Sequence, residues 1–471
     1  MNKALLKNIE ALFHSHQEEM LSTLLEFVSM PSIAQYDDPD YVYGKPCHDI
    51  MNLWQRTAQK MGFTTLRFED HVAVACTEEY PIEESIGLWS HLDVVPAGGG
   101  WVFEPFQPVI REGYVIGRGA DDNKSAVVGT LYLLRCLREL DIPMKHAVKL
   151  FVGCDEERGS FGVEWYAQNH PCPLFSIVPD CGFPVCYGEK GIINATFRSN
   201  RSLSADVISL EGGSASNVIP DTAVAILRAT PERINNFKVL PNGVDCIIEG
   251  ETIRLIAHGT SGHAGFPVGH INAIRVLTDA LLNFGLLRTE DANIVSFLHR
   301  VNSDCYGTEL GIAMEDDESG RLTCAGTILR TKNGVPALSV NIRYCVTANG
   351  ENIHLQLERC SEKSEFSLDS FVDSSPNLYP KARPVVDALT SVYSEITKND
   401  ALPYTMSGGT YARHLPNALG FGIGGLHKQQ CPFIPAGHGG AHLPDEVLHI
   451  DSWMNALVIL TMGVLEADQI L

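Results

Sequence analysis

Short, unbroken apolar segments alternate with amphipathic helical patterns in the first part of this chain, and this alternation most restricts the folds open to it. The segments Val72–Cys76, Ile86–Ser90 and Ala147–Gly153 predict buried strands, and Ser125–Leu140 predicts a helix between the last two. Strand–helix–strand alternation with continuous apolar runs is typical of an α/β domain with a largely parallel sheet. In such sheets, functional residues collect at the carboxyl ends of the strands.

The pattern changes between about residues 189 and 377. Half-buried strand patterns such as Ala223–Leu227 and Ser339–Tyr344 replace the continuous apolar runs, and one clear helix covers about Ile271–Leu282. Helical patterns resume at Pro384–Ile396 and Asp451–Leu465. We therefore predict a discontinuous first domain, residues 1–188 and 378–471, and an inserted α+β domain, residues 189–377.

The charge balance and the cysteine pattern exclude several function classes. The 471 residues include 35 Lys and Arg against 57 Asp and Glu, a formal net charge of −22, with no basic run. This argues against nucleic acid or an anionic membrane as the main partner. The 13 cysteines lack C-x-x-C spacing, which favours reduced thiols over a disulfide framework. With no signal-peptide pattern and no apolar run near the length of a bilayer, we expect a cytoplasmic protein.

A histidine and a carboxylate stand together where the second predicted strand ends. In the sequence Ser90–Pro96, His91 closes the strand and Asp93 follows two residues later. A carboxylate beside a histidine commonly orients a zinc ligand by fixing the tautomer of its ring. Taken alone, the same pattern also fits a polar loop histidine, so this motif leaves both interpretations open.

A glycine-rich segment, Gly117–Ser125, precedes the predicted helix and raises the possibility of a phosphate loop. It does not fit one, because Asn123 stands where a phosphate loop needs glycine, and Asp121 and Asp122 would repel phosphate. Acids at the start of a helix are better interpreted as metal ligands or helix caps. Both of these interpretations stay open at this point.

Three further groups of polar residues follow apolar runs. Three consecutive acids, residues 155–157, come after the strand Ala147–Gly153, and such a cluster is costly unless cations offset it. Asp180 follows another apolar run, and residues 437–446 hold two histidines. Two histidines, one bridging acid and two terminal carboxylates make a two-metal site whose N and O ligands suit Zn²⁺, with Mn²⁺ or Co²⁺ possible. Sequence signatures of serine hydrolases, of H-E-x-x-H peptidases and of dinucleotide binding are absent.

Ten motifs, in order along almost the whole chain, carry a specific resemblance. They are SHLDVVP at 90–96, W–PF at 101–106, GRGADDNK at 117–124, DEE at 155–157, PD at 179–180, GGSASNVIP at 212–220, GTSGHAGFP at 259–267, NIRY at 341–344, SGGTYAR at 407–413 and HLPDE at 442–446. The chain resembles the di-zinc exopeptidase and deacylase family of aminoacylase, carnosinase and succinyl-diaminopimelate desuccinylase. Within it, the PepV-type dipeptidases are most similar. The resemblance implies a zinc-exopeptidase-like catalytic domain, with a mostly parallel sheet and helices on both faces, and an inserted α+β lid.

The resemblance also implies a role for each matching residue. Metal ligands would be His91 and Asp180 for one ion, Glu157 and His442 for the other, and Asp122 as the bridge. Asp93 would orient His91, and Glu156 would be the general base and then the acid. From the lid, His263 would stabilise the oxygen of the tetrahedral intermediate. The terminal groups of the substrate would be held by Asn217, Arg343, Gly408, Gly409 and Arg413.

The same alignment leaves some choices open. Asp121 is the alternative bridge to Asp122, and His438 the alternative ligand to His442. Ser125 stands where the family usually has glycine, and we expect this change to leave metal binding intact. The inserted domain is long for a lid, which predicts a monomer in which His263 serves the active site of its own chain.

The predicted activity is hydrolysis of dipeptides by a hydroxide bound to two zinc ions, with Glu156 as general base. One alternative keeps the site and changes the substrate to an N-acyl amino acid. Another, from a different class, is a non-catalytic relative that binds peptides or metal.

Overall fold

The computed structural model describes residues 2–77, 80–236, 241–283, 287–380, 383–424 and 431–471. The chain divides into two compact units. The first contains residues 1–187, 378–404 and 410–471, and the second contains residues 188–377 and 405–409.

The helices and strands have the following bounds. The helices are α1 Lys3–Val28, α2 Lys45–Lys60, α3 Lys124–Glu139, α4 Phe161–Asn169, α5 Pro231–Asn236, α6 Ala273–Asn283, α7 Thr289–Val301, α8 Gly350–Glu362, α9 Pro384–Thr397 and α10 Ile450–Ile470. Strands of the first half are β1 Thr64–Phe68, β2 Val72–Cys76, β3 Ile86–His91, β4 Val109–Arg111, β5 Tyr114–Ile116, β6 Val148–Gly153, β7 Phe175–Val178, β8 Cys181–Gly182, β9 Cys186–Glu189, β10 Gly191–Ser199, β11 Val207–Gly212, β12 Val218–Ile219 and β13 Thr222–Arg228. The remaining strands are β14 Val244–Glu249, β15 Thr252–His258, β16 Gly262–His263, β17 Glu315–Asp316, β18 Gly320–Arg321, β19 Thr323–Lys332, β20 Val335–Tyr344, β21 Phe366–Ser374, β22 Asn377–Leu378, β23 Tyr404–Met406, β24 Ala418–Gly420, β25 Ile423–Gly424 and β26 Val447–His449.

The first unit is an α/β layer structure whose sheet runs in the order β1-β2-β6-β3-β7-β24. The pairs β6–β3, β3–β7 and β7–β24 are parallel, as the sequence predicts, whereas β1–β2 and β2–β6 are antiparallel. Side chains alternate across the sheet. On β2, Ala73 and Ala75 lie in the core shared with α1, α3, α9 and α10, and Val72 and Val74 lie in a second core with α4. Helices therefore cover both faces.

The C-terminal helix α10 is, among the described residues, the one helix long and apolar enough to cross a membrane. However, 72% of its apolar window is buried inside the protein. It packs against α1, α3 and α9, so its apolar surface belongs to the core of the first unit.

The second unit is built on an eight-stranded sheet in the order β14-β15-β13-β11-β19-β20-β10-β21, whose pairs are antiparallel. Helices α6, α7 and α8 complete its core. Residues 405–409 also group with this unit, although the sequence pattern placed them in the first domain. Hydrogen bonds explain the difference, because Arg343 Nη1 donates to Ser407 O at 2.8 Å and Lys190 N donates to Met406 O at 2.9 Å.

Candidate metal centre

The candidate ligands of the first unit gather at the carboxyl ends of its central parallel strands. His91 is the last residue of β3 and pairs in register with Gly153, the last residue of β6. Residues 155–157 follow β6 directly, and Asp180 follows the neighbouring strand β7. Adjacent parallel strands end at one edge of a sheet, so the fold brings these distant residues together.

Five side chains form two groups of possible metal ligands that share Asp122. His91, Asp122 and Asp180 form the first group, and Asp122, Glu157 and His442 form the second, with the ligand atoms of each group within 4.8 Å of one another. Asp122 Oδ1 lies 3.0 Å from His91 Nε2, and Asp122 Oδ2 lies 3.2 Å from His442 Nε2. One carboxylate thus presents a separate oxygen to each group, which is the geometry of a bridging ligand.

The remaining ligands lie beside the two imidazoles. Asp180 Oδ2 lies 3.6 Å from His91 Nε2, and Glu157 Oε2 lies 3.0 Å from His442 Nε2. Both groups therefore offer nitrogen and oxygen atoms without a thiolate, a donor set that suits Zn²⁺ and also Mn²⁺ or Co²⁺.

The electrostatics of this cluster favour cations. Hydrogen bonds to Asp122 and Glu157 raise the pKa of His442 to about 11. Burial lowers the pKa of His91, but the carboxylates of Asp180, Asp122 and Asp93 outweigh that effect and raise it well above its usual range. The same two histidines, by their hydrogen bonds, lower the pKa of Asp122 despite its burial. The carboxylates that stabilise the protonated histidines would equally stabilise dications in their place. The residues of the two groups therefore fit a metal ion each.

Asp93 connects the histidine ligand to the acidic turn. Its buried carboxylate accepts from Glu156 N at 3.2 Å and from Glu157 N at 3.1 Å. The same carboxylate lies 3.4 Å from His91 Nδ1, the ring nitrogen turned away from the metal groups. Asp93 is thus placed to orient both His91 and the turn that carries Glu156 and Glu157.

Glu156 lies in this cluster but belongs to neither group of ligands. Burial raises the pKa of its carboxyl group, His91 opposes that rise, and the charges of Asp180, Glu157 and Asp122 add to it. Its carboxylate has no hydrogen-bond partner among the residues that the structure describes. A carboxylate with a raised pKa and free lone pairs is suited to accept and return a proton.

The two alternative residues, His438 and Asp121, lie outside both groups of possible ligands. His438 Nδ1 hydrogen-bonds to Asp445 Oδ2 at 2.6 Å and joins neither group of ligands, whereas His442 joins one. Asp121 also lies outside both groups. Ser125 is buried and donates its hydroxyl hydrogen to Asp121 O at 2.8 Å, so the serine fits without displacing a ligand.

Two positioning residues escaped the sequence analysis. Glu446 is buried and accepts hydrogen bonds from Arg118 Nη1 at 2.7 Å, Asp121 N at 2.9 Å and Asp122 N at 3.0 Å, which fixes the loop before α3. Its place in the HLPDE motif was the available signal.

Asn123 is the second. It accepts from His91 N at 3.2 Å and donates to Asp180 Oδ1 at 2.8 Å, so one amide connects both terminal ligands of the first group. It directly follows Asp122, the predicted bridging ligand, but only the fold shows its partners.

The residues predicted to bind substrate lie mostly in the second unit. There, β12 and β16 pair Val218 with His263, and Ala264 N donates to Asn217 O at 2.8 Å, which makes Asn217 and His263 neighbours. Arg343 Nε donates to Asn341 Oδ1 at 2.9 Å, and its Nη1 reaches the segment that contains Gly408 and Gly409. Arg413 lies in a 3₁₀ turn, Tyr411–His414, of the first unit. Their roles stay predictions.

The fold and the two groups of ligands define a metal-dependent hydrolase. The chain belongs to peptidase family M20/M25/M40, whose family model matches residues 87–464. A relative from Bacillus subtilis (strain 168), which bears the provisional name of a dipeptidase, is 30% identical over 467 residues, 96% of this chain and 97% of its own length. The prediction of this family from sequence motifs is confirmed.

Solved structures support the fold. The di-peptidase Dug1p from Saccharomyces cerevisiae superposes with a TM-score of 0.60 at 13% identity, covering 98% of both chains. The M20 family metallo-carboxypeptidase Sso-CP2 from Sulfolobus solfataricus gives a TM-score of 0.58 at 16% identity, covering 96% of this chain and 100% of its own. At these identities the likeness concerns the fold alone.

Proposed function

We propose that this protein hydrolyses dipeptides with two divalent metal ions, Zn²⁺ first among the candidates. The observation that carries the proposal is the shared carboxylate of Asp122, which faces His91 with one oxygen and His442 with the other. Membership in a peptidase family supports a peptide substrate, and the names of the curated relatives favour dipeptides.

The protein's own residues supply the acid–base chemistry. When bound, the two ions would activate water and polarise the scissile carbonyl group. Glu156 takes the proton of the attacking water on its free carboxylate and later returns it to the leaving amine. Asp93 holds the turn that carries Glu156, and the resemblance assigns stabilisation of the carbonyl oxygen to His263.

The substrate class is tested by comparing dipeptides with N-acetyl amino acids. Metal-free protein is reconstituted with Zn²⁺, Mn²⁺ or Co²⁺ and assayed against both panels, with Glu156→Gln as the control for contaminating hydrolases. Release of amino acids from dipeptides by the wild-type chain alone supports the proposal. Hydrolysis of only the N-acetyl compounds would assign the protein as a deacylase, and metal binding without any hydrolysis would assign it as a non-catalytic relative.

We also propose that the protein is active as a monomer and that His263 serves its own chain. Light scattering at assay concentration should then give a mass near 51.6 kDa. A His263→Ala chain mixed with a Glu156→Gln chain should recover no activity, because each chain lacks a group that its own site needs. Recovered activity would instead reveal a site shared between two chains.

A further inference from the structure

The second unit contains a cavity of about 300 Å³ that the mechanism above does not use. Its lining residues all lie between positions 219 and 325, so the second unit builds this cavity alone. Ile219, Ile271 and Ala325 contribute apolar surface to it. Polar side chains come from His270, Arg275, Ser303 and Asp304. A cavity of this size, with apolar surface and a few polar groups, is typical of a site for a small molecule.

The cavity lies on the reverse face of the two-stranded ribbon β12–β16 that carries His263. Ile219 pairs with Gly262 across this ribbon, so the two residues face the same side. A β-carbon on Gly262 would meet the ring of His270 at 2.5 Å, and both Ile219 and His270 line the cavity. Successive residues of a strand point to opposite faces, so His263 points away from the cavity. A ligand in the cavity would therefore lie behind His263, on the side opposite its imidazole.

The polar lining offers hydrogen-bond donors that the protein leaves unused. Arg275 is held in place, because its Nε donates to Asp279 Oδ2 at 2.8 Å and its Nη1 donates to the backbone oxygens of Asn302 and Ser303. Its Nη2 has no partner among the described residues. The same holds, within those ranges, for the hydroxyl of Ser303 and the ring nitrogens of His270. A fixed guanidinium group with a spare nitrogen and two further donors suits a carboxylate.

A negative charge lies in the same lining. Asp304 accepts from Tyr306 N at 2.8 Å and from Thr308 N at 3.3 Å. Burial raises the pKa of Asp304, but hydrogen bonds from Thr308, Tyr306 and Gly307 outweigh that effect and lower it below its usual range. Asp304 is therefore a carboxylate at neutral pH and attracts a cationic group to the cavity. The lining thus combines donors for an anion, a charge that attracts a cation, and apolar surface.

We propose that this cavity binds a free α-amino acid with an apolar side chain. Arg275, Ser303 and His270 donate to its carboxylate, Asp304 pairs with its ammonium group, and its side chain lies on the apolar lining. The inference rests on the proposed function for the source of the ligand, because free amino acids are the products of dipeptide hydrolysis. It gives the protein a product-binding site behind the ribbon that carries His263.

The test measures binding by calorimetry to the metal-free full chain, with three probes. L-leucine carries both charges, isocaproate lacks the ammonium group, and isoamylamine lacks the carboxylate. We expect L-leucine to bind and each analogue to bind at least about tenfold more weakly, because each has lost a charge-assisted contact. The metal-free chain offers no bound metal to the amino acid and needs no turnover. A failure of the dipeptide proposal therefore leaves this result unaffected.

Two variants with a matched control locate the site. Ile271→Glu adds a carboxylate to the lining at a side chain that is 54% exposed, and it should weaken L-leucine binding at least about tenfold by repelling its carboxylate. Val268→Glu adds the same charge to the same loop at a residue outside the lining, so it should keep the wild-type affinity within about twofold. Arg275→Gln removes the spare nitrogen and should reduce the preference for L-leucine over isoamylamine.

Three results would overturn the proposal. One is the absence of L-leucine binding to the wild-type chain. Another is equal weakening by Ile271→Glu and Val268→Glu, which would place the bound amino acid elsewhere. The third is an analogue that binds as tightly as L-leucine, which would show that the cavity does not recognise both charges of an amino acid.

Discussion

The two groups of ligands share Asp122 but differ in their surroundings. In the first group, the side chain of His91 is 1% exposed and that of Asp180 is 14% exposed; His91 ends the buried parallel strand β3, and Asp180 follows the buried parallel strand β7. In the second, the side chain of His442 is 45% exposed and comes from a loop, whereas that of Glu157 is 7% exposed and follows β6. We call these the buried half and the exposed half. The comparison indicates that the sheet edge places His91, Asp180 and Glu157, and that the exposed half differs because its histidine depends on how well a loop is held.

The loop of the exposed half is held by two neighbours of its ligand. His442 itself has a positive φ of 64°, a conformation that costs a non-glycine residue energy. Asp445 accepts from Val102 N at 2.9 Å, and Glu446 accepts from Arg118 and the loop before α3. These buried contacts stabilise the loop, yet they lie three and four residues from His442. We therefore expect the exposed half to bind metal more weakly and exchange it faster.

The largest effect should come from removing the carboxylate that both halves share. Asp122→Ala should lose both metal equivalents and all hydrolysis, because neither half keeps three ligands. Elemental analysis after gel filtration and a dipeptide assay measure the two quantities. The matched control is Asp121→Asn, which should keep both equivalents. If Asp121→Asn lost the metals and Asp122→Ala kept them, the bridging assignment would be reversed.

The adjacent glutamates should separate catalysis from metal binding. Glu156→Gln should keep both metals and lose roughly 10²–10⁴-fold in turnover, since it removes a general base without removing a ligand. Glu157→Gln should instead weaken metal binding in the exposed half alone. Titration of the metal-free variants with Zn²⁺, together with turnover at saturating metal, distinguishes the two. Equal metal loss in both variants would refute the assignment of roles within this turn.

Replacing the histidine of each half should lower the free energy of unfolding by different amounts. His91→Ala leaves the carboxylates around it without their partner in a buried place, which should destabilise the metal-free fold by about 3–5 kcal/mol. His442→Ala also leaves Glu157 and Asp122 without a partner, but His442 is half-exposed and solvent screens its charge, so we expect a smaller destabilisation than for His91→Ala. The His442→Ala chain should also keep one tightly bound metal. Urea denaturation of the metal-free variants checks the difference, and equal destabilisation would contradict the contrast between buried and exposed halves.

Much of this site was predictable because its charged residues stand in the sequence at the ends of apolar strands. Residues 155–157 follow a continuous apolar strand. Three adjacent carboxylates at the end of a buried strand repel one another, and nearby cations would offset that repulsion. His91 and Asp93 likewise follow a strand whose apolar run places them at a sheet edge. The family motifs then predicted which of these residues are ligands and which is the base, and the structure brings the five predicted ligands into two groups that could hold a metal ion.

The rest depended on contacts between residues far apart in sequence. Glu446 fixes Asp122 from more than 300 positions away, and Asn123 connects His91 to Asp180, so no local pattern reveals either role. The antiparallel strand β2 carries the same continuous apolar pattern as its parallel neighbours, because burial on both faces sets the pattern and strand direction does not. Residues 405–409 group with the second unit through hydrogen bonds that Arg343 and Lys190 donate to their backbone carbonyls, which composition cannot show.

The smallest expected effect is the release of protons when zinc binds, and it can be compared between the histidines of the two halves. In the metal-free chain, hydrogen bonds to Asp122 and Glu157 raise the pKa of His442 to about 11, and nearby carboxylates also raise the pKa of His91, so both histidines hold a proton more strongly than a free imidazole. A metal binds the neutral imidazole, so each histidine must release its proton, and apparent affinity should rise with pH by up to about tenfold per unit for each one. Adding Zn²⁺ at pH 7 in weak buffer should release protons from the wild-type chain, from the two histidines and from Glu157, whose pKa burial raises. His442→Ala should release one fewer, whereas His438→Ala should match the wild type because His438 pairs with Asp445 outside both halves. Zinc uptake without proton release would show that carboxylates alone hold the metal, and the two histidines would no longer distinguish the halves.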